Sequence, residues 1–190
     1  MMQNLTLVLE LALGSGSISL WKDSQLIKIR RPDSKAGRSE DVLAHIDGLI
    51  STHGYRPENI GCVVCSRGPG SYTGIRVGLA TARGLRKALA LKVYGYTTTE
   101  VLLSMSKPDK KAAAVIDAGR GEFLICFETS EGRQKRIDSL EHIAQIGDSN
   151  DLETIIASVG RFEELSLAWK SHKIGVINAS DNVNKAMFKL

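Results

Sequence analysis

A glycine-rich loop that joins an apolar run to a long helical pattern constrains this chain most. The apolar run covers residues 60–66, the loop covers residues 67–74 (RGPGSYTG), and a helix is predicted from about Thr73 to Ala90. A strand followed by a helix is the building unit of α/β folds. Backbone N–H groups at the start of the helix can bind an anion, which makes Gly68 and Gly70 candidate anion-binding positions. The alternative is a tight turn that needs glycine for its dihedral angles.

The loop does not match the generic nucleotide-binding motifs. A Walker loop requires Gly-Lys-Ser/Thr at the start of the helix, whereas Gly74 is followed by Ile75 and Arg76. The dinucleotide pattern requires a third glycine at the position that Thr73 takes. Any phosphate binding by this loop would therefore need a different arrangement.

The predicted helix after the loop contains glycine at interior positions. A glycine costs about 1 kcal/mol relative to alanine inside a helix, so Gly74, Gly78 and Gly84 indicate that something packs closely there. Gly74, Gly78 and Thr81 follow one another at the i, i+4, i+7 spacing of a single helical stripe. The packing partner is either an element of the same chain or a helix of a second subunit.

The rest of the pattern alternates strands and helices and divides at a charged segment. Three short strands are predicted within residues 5–29, followed by a helix from Ser39 to His53. Residues 107–111 (KPDKK) are the predicted linker between two lobes, residues 1–106 and residues 107–190. In the second lobe, residues 152–159 and 162–169 have helical patterns, and residues 174–177 form a predicted strand.

The two lobes open on similar sequences. Residues 8–16 and residues 115–121 both run from a strand through a carboxylate to a glycine turn, which a duplicated fold would produce. The carboxylates are Glu10 and Asp117. Paired acids of this kind hold magnesium across the cleft of some phosphotransferases. Because no hydroxyl follows Glu10, we favour a structural role for both acids.

Composition and residue spacing favour a protein without its own metal or nucleophile. The 190 residues are 43% hydrophobic and 24% charged with a net charge of +4, which suits a globular chain with a mixed surface. Cys62 and Cys65 point to opposite faces of a strand, and no two histidines have the spacing that places both over one metal. An odd number of cysteines, three, together with no leader or membrane-length segment, predicts reduced thiols and a cytoplasmic location.

The run from Arg67 to Leu85 strongly resembles the signature of the TsaB (YeaZ) family, which belongs to the bacterial system that makes N6-threonylcarbamoyladenosine on tRNA. Residues 37–40 (GRSE) and 117–122 (DAGRGE) are similar to the starts of that family's first helix and second lobe. The similarity extends over about residues 5–127. It implies an α/β, actin-like and Hsp70-like ATPase fold (ASKHA), with two lobes built on duplicated mixed sheets.

The resemblance also implies a function. Members of this family are non-catalytic partners of the paralogue TsaD, which holds a metal and transfers the threonylcarbamoyl group to adenosine 37 of tRNA. An ATPase, TsaE, joins the complex, tRNA is contacted indirectly, and the isolated chain is expected to form a homodimer. No cofactor is expected except ATP and magnesium at a shared interface of the complex. The interface positions implied on the two helices of the first lobe are Leu43, Ile46, Ile50, Gly74, Gly78 and Thr81.

The chain departs from the family pattern at three places. The first strand ends in Glu10, Leu11 and Ala12, where the family has aspartate, threonine and serine. Arg38 stands where the family commonly has histidine. Compared with the family, the C-terminal lobe is expected to be short, divergent and reduced. The alternative function is a small actin-fold ATPase or phosphotransferase that uses Glu10, Asp117 and the glycine loop.

Overall fold

The computed structural model describes residues 5–31, 41–158, 175–179 and 186–187. The chain divides into two compact units, Met1–Thr98 with Met187–Leu190, and Thr99–Ala186. The predicted boundary between residues 106 and 107 lies further along the chain and stays a prediction. The helix predicted at residues 162–169 lies outside the described residues.

The described residues of the first unit form a five-stranded mixed sheet and two α-helices. The strands are β1 (Leu5–Glu10), β2 (Ser17–Lys22), β3 (Gln25–Arg30), β4 (Ile60–Ser66) and β5 (Lys92–Tyr96), in the order β3-β2-β1-β4-β5. The helices are α1 (Val42–Ser51) and α2 (Tyr72–Leu89). β1, β2 and β3 pair antiparallel as a meander, and β4 and β5 continue the sheet in parallel with β1. The predicted meander is confirmed.

The core of the first unit lies on one face of this sheet. Alternate residues of β1 and β2, such as Leu7 and Leu20, are buried there together with Ile46 and Leu49 of α1. The period of two in the strands and the helical spacing in α1 therefore supply the two sides of one hydrophobic layer. This layer holds α1 and α2 against the sheet.

The second unit repeats the topology of the first. Its strands are β6 (Ala112–Gly119), β7 (Glu122–Thr129), β8 (Gly132–Ser139), β9 (Thr154–Ser158) and β10 (Gly175–Asn178), in the order β10-β9-β6-β7-β8. Its helices are α3 (Thr98–Leu103), which begins at the division, and α4 (Leu140–Ser149). β6, β7 and β8 pair antiparallel, while β9 and β10 continue in parallel, as in the first sheet. The prediction of duplicated mixed sheets is confirmed.

The helix predicted at residues 152–159 is wrong. Residues 154–158 form β9, which lies between β6 and β10. Ile155, Ile156 and Ala157 are all fully buried, because a central parallel strand is covered on both faces. Such a strand loses its alternation, and its continuous apolar run resembles the buried stripe of a helix.

Helix α1 begins later than predicted. Val42 is its first residue and Asp41 is its N-cap residue, whose side chain forms no capping hydrogen bond. Ser39, where the helix was predicted to start, lies outside the described residues. Gly54 follows the helix with φ of +73°, a conformation that favours glycine just after a helix end.

Candidate functional site

The glycine loop packs directly against the turn that joins β1 to β2. The backbone N–H of Ser71 donates a hydrogen bond of 2.7 Å to the carbonyl oxygen of Ala12. Gly70 has φ of +147°, and a Cβ at this position would collide with the same carbonyl group. Gly70 is therefore required for its conformation and for the close approach of two backbones.

The start of α2 is satisfied by groups of the same chain. The side chain of Ser71 accepts a hydrogen bond from the N–H of Gly74 at 3.2 Å, and its carbonyl accepts one from Ile75 at 2.9 Å. The carbonyl oxygen of Leu11 lies against Gly74, and that of Ala12 receives the Ser71 N–H. These two carbonyl dipoles bring partial negative charge to the positive end of the helix. The chain's own backbone thus supplies the negative charge that a bound anion would otherwise bring to this end of the helix.

Gly68 is tied to the end of β4 and to Thr98, all within the first unit. Its N–H donates to the side-chain oxygen of Ser66 at 3.3 Å, and its carbonyl accepts from the N–H of Thr98 at 2.7 Å. The hydroxyl groups of Ser66 and Thr98 are 2.8 Å apart, and both residues are buried. Gly68 itself has φ of +88°, and a Cβ there would lie 2.7 Å from Cδ1 of Ile75. The positions predicted as an anion cradle are thus parts of a closely packed turn.

Glu10 holds the β1–β2 turn from inside the first unit. Its carboxylate accepts hydrogen bonds from the N–H groups of Ala12 at 3.0 Å and Leu13 at 3.3 Å. The side chain is almost fully buried, and burial raises the pKa of Glu10 to about 7 against the smaller lowering effect of those two bonds. Glu10 therefore fixes the backbone segment whose carbonyl groups meet Gly70 and Gly74.

Asp117 has the equivalent place in the second unit and a similar local bond. Its side chain accepts a hydrogen bond of 2.7 Å from the N–H of Gly119, two residues along, just as Glu10 accepts from Ala12. The turn that follows has positive φ at Gly119, Arg120 and Gly121. Unlike Glu10, Asp117 is exposed. In each unit the acid stabilises the turn after the first strand, which supports the structural role that we favoured.

The predicted interface positions divide into buried and exposed groups. Ile46 and Ile50 are 3% and 2% exposed and belong to the core of their own unit, while Leu43 is 58% exposed. Gly78 is buried, and a Cβ there would lie 3.7 Å from the Leu11 side chain. Thr81 is half-buried. Leu43 is thus the predicted interface residue with the most side-chain surface exposed.

The packing partner of the helical glycines lies within the same chain at two of three positions. Leu11 contacts Gly74 with its backbone and Gly78 with its side chain. Gly84 is exposed, and a Cβ there would have nothing within 4 Å. Of the two alternatives for the stripe, an element of the same chain therefore accounts for Gly74 and Gly78.

Sequence analysis gave no role to the cations on the outer side of α2. Arg76, Arg83, Arg86 and Lys87 are all exposed. The sequence feature that could have indicated this positively charged surface is the absence of any Asp or Glu between Tyr72 and Leu89.

The described residues contain neither a metal-binding cluster nor a helix suited to span a membrane. Within residues 5–31, 41–158, 175–179 and 186–187, no group of three or more His, Cys, Asp or Glu side chains is arranged to hold a metal ion. None of the helices in those ranges combines the length and the apolar character that a membrane span requires. Cys62, Cys65 and Cys126 are free thiols.

The two repeated sheets define an actin-like fold, and solved structures share it. YeaZ from Pseudomonas aeruginosa has a TM-score of 0.66 at 16% identity over 98% of this chain and 90% of that protein. A protein of unknown function from Bacteroides thetaiotaomicron, described as having an actin-like ATPase fold, has a TM-score of 0.59 at 9% identity over 100% and 97%. The predicted fold class is therefore confirmed.

Sequence comparison places the chain in a family. The family model described as "TsaD: tRNA N6-adenosine threonylcarbamoyltransferase" matches residues 34–155. The tRNA threonylcarbamoyladenosine biosynthesis protein TsaB of Escherichia coli is 27% identical over 122 residues, 61% of this chain and 51% of that protein. TsaB of Bacillus subtilis is 27% identical over 89 residues, 46% and 39% respectively. The chain belongs to the family of that model. The predicted resemblance to TsaB (YeaZ) is confirmed by the curated relatives and the solved structures. The matched segments span about half or less of these curated relatives.

Proposed function

We propose that this chain is a non-catalytic partner subunit in the formation of N6-threonylcarbamoyladenosine at position 37 of tRNA. Its partner is a TsaD-like paralogue that carries out the transfer. The printed names of the curated relatives assign them to this biosynthesis. The non-catalytic part of the proposal is carried by one observation, the packing of the β1–β2 turn on the glycine loop. Because the loop packs against another backbone segment of the same unit, we assign it a structural role instead of a role in binding a substrate phosphate.

The proposed contact with the paralogue is formed by the outer sides of α1 and α2. Leu43 on α1 is a large apolar side chain with 58% of its surface exposed. The side chains of Ile46 and Ile50 face the core, so they support the surface from beneath. Leu43 would supply the apolar centre that protein interfaces require.

A binding experiment with matched variants tests this contact. The purified chain is mixed with its cognate TsaD paralogue, and the dissociation constant is measured by light scattering. We expect Leu43→Arg to weaken binding by about tenfold or more, because a buried apolar anchor is replaced by a charge. Ile137→Arg is the matched control, since Ile137 is 60% exposed on β8 of the second unit. Absence of a complex, or equal effects of both variants, would contradict the proposal.

The proposal extends to the rest of the assembly. A TsaE-like ATPase joins the complex, tRNA is bound through the complex, and ATP with magnesium is held at a shared interface. The isolated chain forms a homodimer, and the complex acts in the cytoplasm. Reconstitution from purified components tests whether the chain needs the paralogue and the ATPase for modification of tRNA. With tRNA, ATP and an activated threonylcarbamoyl donor supplied in every reaction, we expect modified tRNA when the chain, the paralogue and the ATPase are combined, and none from the chain alone.

The ATPase or phosphotransferase alternative makes a different prediction. It would use Glu10, Asp117 and the glycine loop, and both acids are hydrogen-bonded to their own turns. Calorimetry with magnesium and ATP on the isolated chain separates the two functions. Micromolar binding that Asp117→Ala abolishes would favour the alternative.

A further inference from the structure

The outer side of α2 carries positive charge without a compensating acid on the helix. Arg76, Arg83 and Lys87 are exposed at spacings of i, i+7 and i+11, which places them along one line of the helix. At 1.5 Å per residue this line is roughly 16 Å long. Arg86 is exposed to one side of it. We call these four residues the cationic face.

The positive charge of the cationic face is largely uncompensated by acidic side chains of the described residues. Among residues 5–31, 41–158, 175–179 and 186–187, no member of the cationic face forms an ion pair. The guanidinium of Arg76 lies 3.9 Å from the ring centroid of Tyr72, a contact that orients the group and keeps its charge. Helix α1, whose outer side belongs to the proposed contact, carries one exposed acid, Asp47, and its N-cap residue Asp41 is half-buried. Four cations against these two acids leave a positive surplus on the proposed contact.

From this imbalance we infer that the cationic face binds a protein surface rich in Asp and Glu, in preference to a second copy of this chain. A two-fold dimer uses the same patch on both copies, so each copy would bring the same positive surplus to the contact. Like charges brought together at an interface oppose association, whereas a carboxylate-rich surface complements them. The inference rests on the proposed function, because it specifies the charge of the TsaD-like partner at the same site.

A nucleic-acid backbone is the other polyanion that such a face could bind. The observations favour a protein. The aligned cations belong to one helix, and Ala80 and Gly84 between them have small or no side chains, so a second helix can approach closely. Phosphate backbones are bound by basic grooves that track the strand, commonly with aromatic platforms for the bases. The exposed ring of Tyr72 lies beside these cations, but the guanidinium of Arg76 covers one of its faces. The experiment must therefore distinguish binding of tRNA to the cationic face from binding of the paralogue.

Added salt should change the dissociation constants of the complex with the paralogue and of self-association in opposite directions. Dissociation constants for self-association and for the complex with the cognate TsaD paralogue are measured at about 50 mM and about 500 mM NaCl, where the screening length differs by roughly threefold. We expect added salt to weaken the complex with the paralogue by about tenfold, because it screens attraction. We expect the same salt to strengthen self-association, because it screens repulsion.

Charge-reversal variants locate the effect on α2. Arg83→Glu and Lys87→Glu should each weaken the complex with the paralogue by about fivefold at low salt and much less at high salt. The same variants should strengthen self-association. Lys107→Glu is the control, since it makes the same change in net charge at an exposed residue outside α2. Unmodified tRNA is titrated against each variant of the isolated chain.

The outcomes separate this inference from the proposed function. A complex whose affinity is indifferent to Arg83→Glu, or one that salt strengthens, overturns the inference alone. Loss of tRNA binding by the isolated chain with Arg83→Glu, alongside an unaffected complex, assigns the face to RNA and also overturns it. Absence of any complex with the paralogue at either salt concentration overturns the proposed function and the inference together.

Discussion

The carbonyl oxygen of Leu11 lies so close to Gly74 that no Cβ could be placed there. This contact joins the turn after β1 to the first turn of α2. The Ala12 carbonyl makes a second contact of the same kind at Gly70 and Ser71. Glycine in this part of the sequence is therefore explained by the approach of two backbone segments of one unit.

The first prediction compares the same substitution at two glycines of α2. Gly74→Ala should destabilise the chain by about 2 kcal/mol or more, because the added methyl group meets the Leu11 backbone. Gly84→Ala should stabilise it by about 1 kcal/mol, since the position is helical with open space around it. The free energy of unfolding is measured by urea denaturation. Two variants with the same sign would contradict this account of α2.

Much of the architecture could be predicted because local and global patterns agree. The glycine turn after Glu10 and the one after Asp117 indicated duplication, and the two sheets have the same strand order. The start of α2, Tyr72, was predicted within one residue from the helical pattern that follows the glycine loop. Ser71, a favoured N-cap residue that the prediction did not use, caps the helix.

Other features depend on contacts between distant segments, which spacing does not show. β9 was predicted as a helix because a central strand is apolar on both faces. The partner of Gly74 could not be chosen from the sequence, because Leu11 lies more than sixty residues earlier in the chain. The sequence also left α4 unassigned, although Ser139 as N-cap and Glu141 in the first turn were visible signals.

The second prediction concerns the cap of α2. Ser71→Ala removes the oxygen that accepts the Gly74 N–H and should cost about 1 kcal/mol of unfolding free energy. Ser71→Asp keeps an acceptor at the cap and adds negative charge at the helix start, so it should retain most of the stability. Both variants are measured by thermal and urea denaturation. Equal losses in both would mean that the Ser71 side chain does not cap the helix.

The third prediction concerns the buried hydroxyl pair that Ser66 and Thr98 form within the first unit. Thr98→Val replaces the hydroxyl by a methyl group of similar shape and should cost about 1–2 kcal/mol, because Ser66 loses a buried partner. Ser66→Ala should have a similar cost. In a double-mutant cycle the two effects should be non-additive by about 1 kcal/mol. Strict additivity would show that the 2.8 Å contact contributes nothing to stability.

The pH dependence of stability should reveal the environment of Glu10. Burial raises the pKa of this carboxyl from its ordinary value of 4.5 to about 7 in the folded chain. Between these two values the folded chain binds the proton that the unfolded chain has released. The contribution of Glu10 is therefore fully favourable below about pH 4.5 and is lost as the pH rises through about 7.

The fourth prediction follows from this loss of stability as the pH rises. Glu10→Gln keeps a hydrogen-bond acceptor for the β1–β2 turn and removes the ionisation, so it should be more stable than the unmodified chain at about pH 8, by on the order of 1–3 kcal/mol. Near pH 5 the two proteins should have similar stability, or the variant should be slightly weaker. Urea denaturation of both proteins across this pH range gives the difference, in which the shared histidines cancel. A difference that stays constant with pH would show that Glu10 ionises with an ordinary pKa.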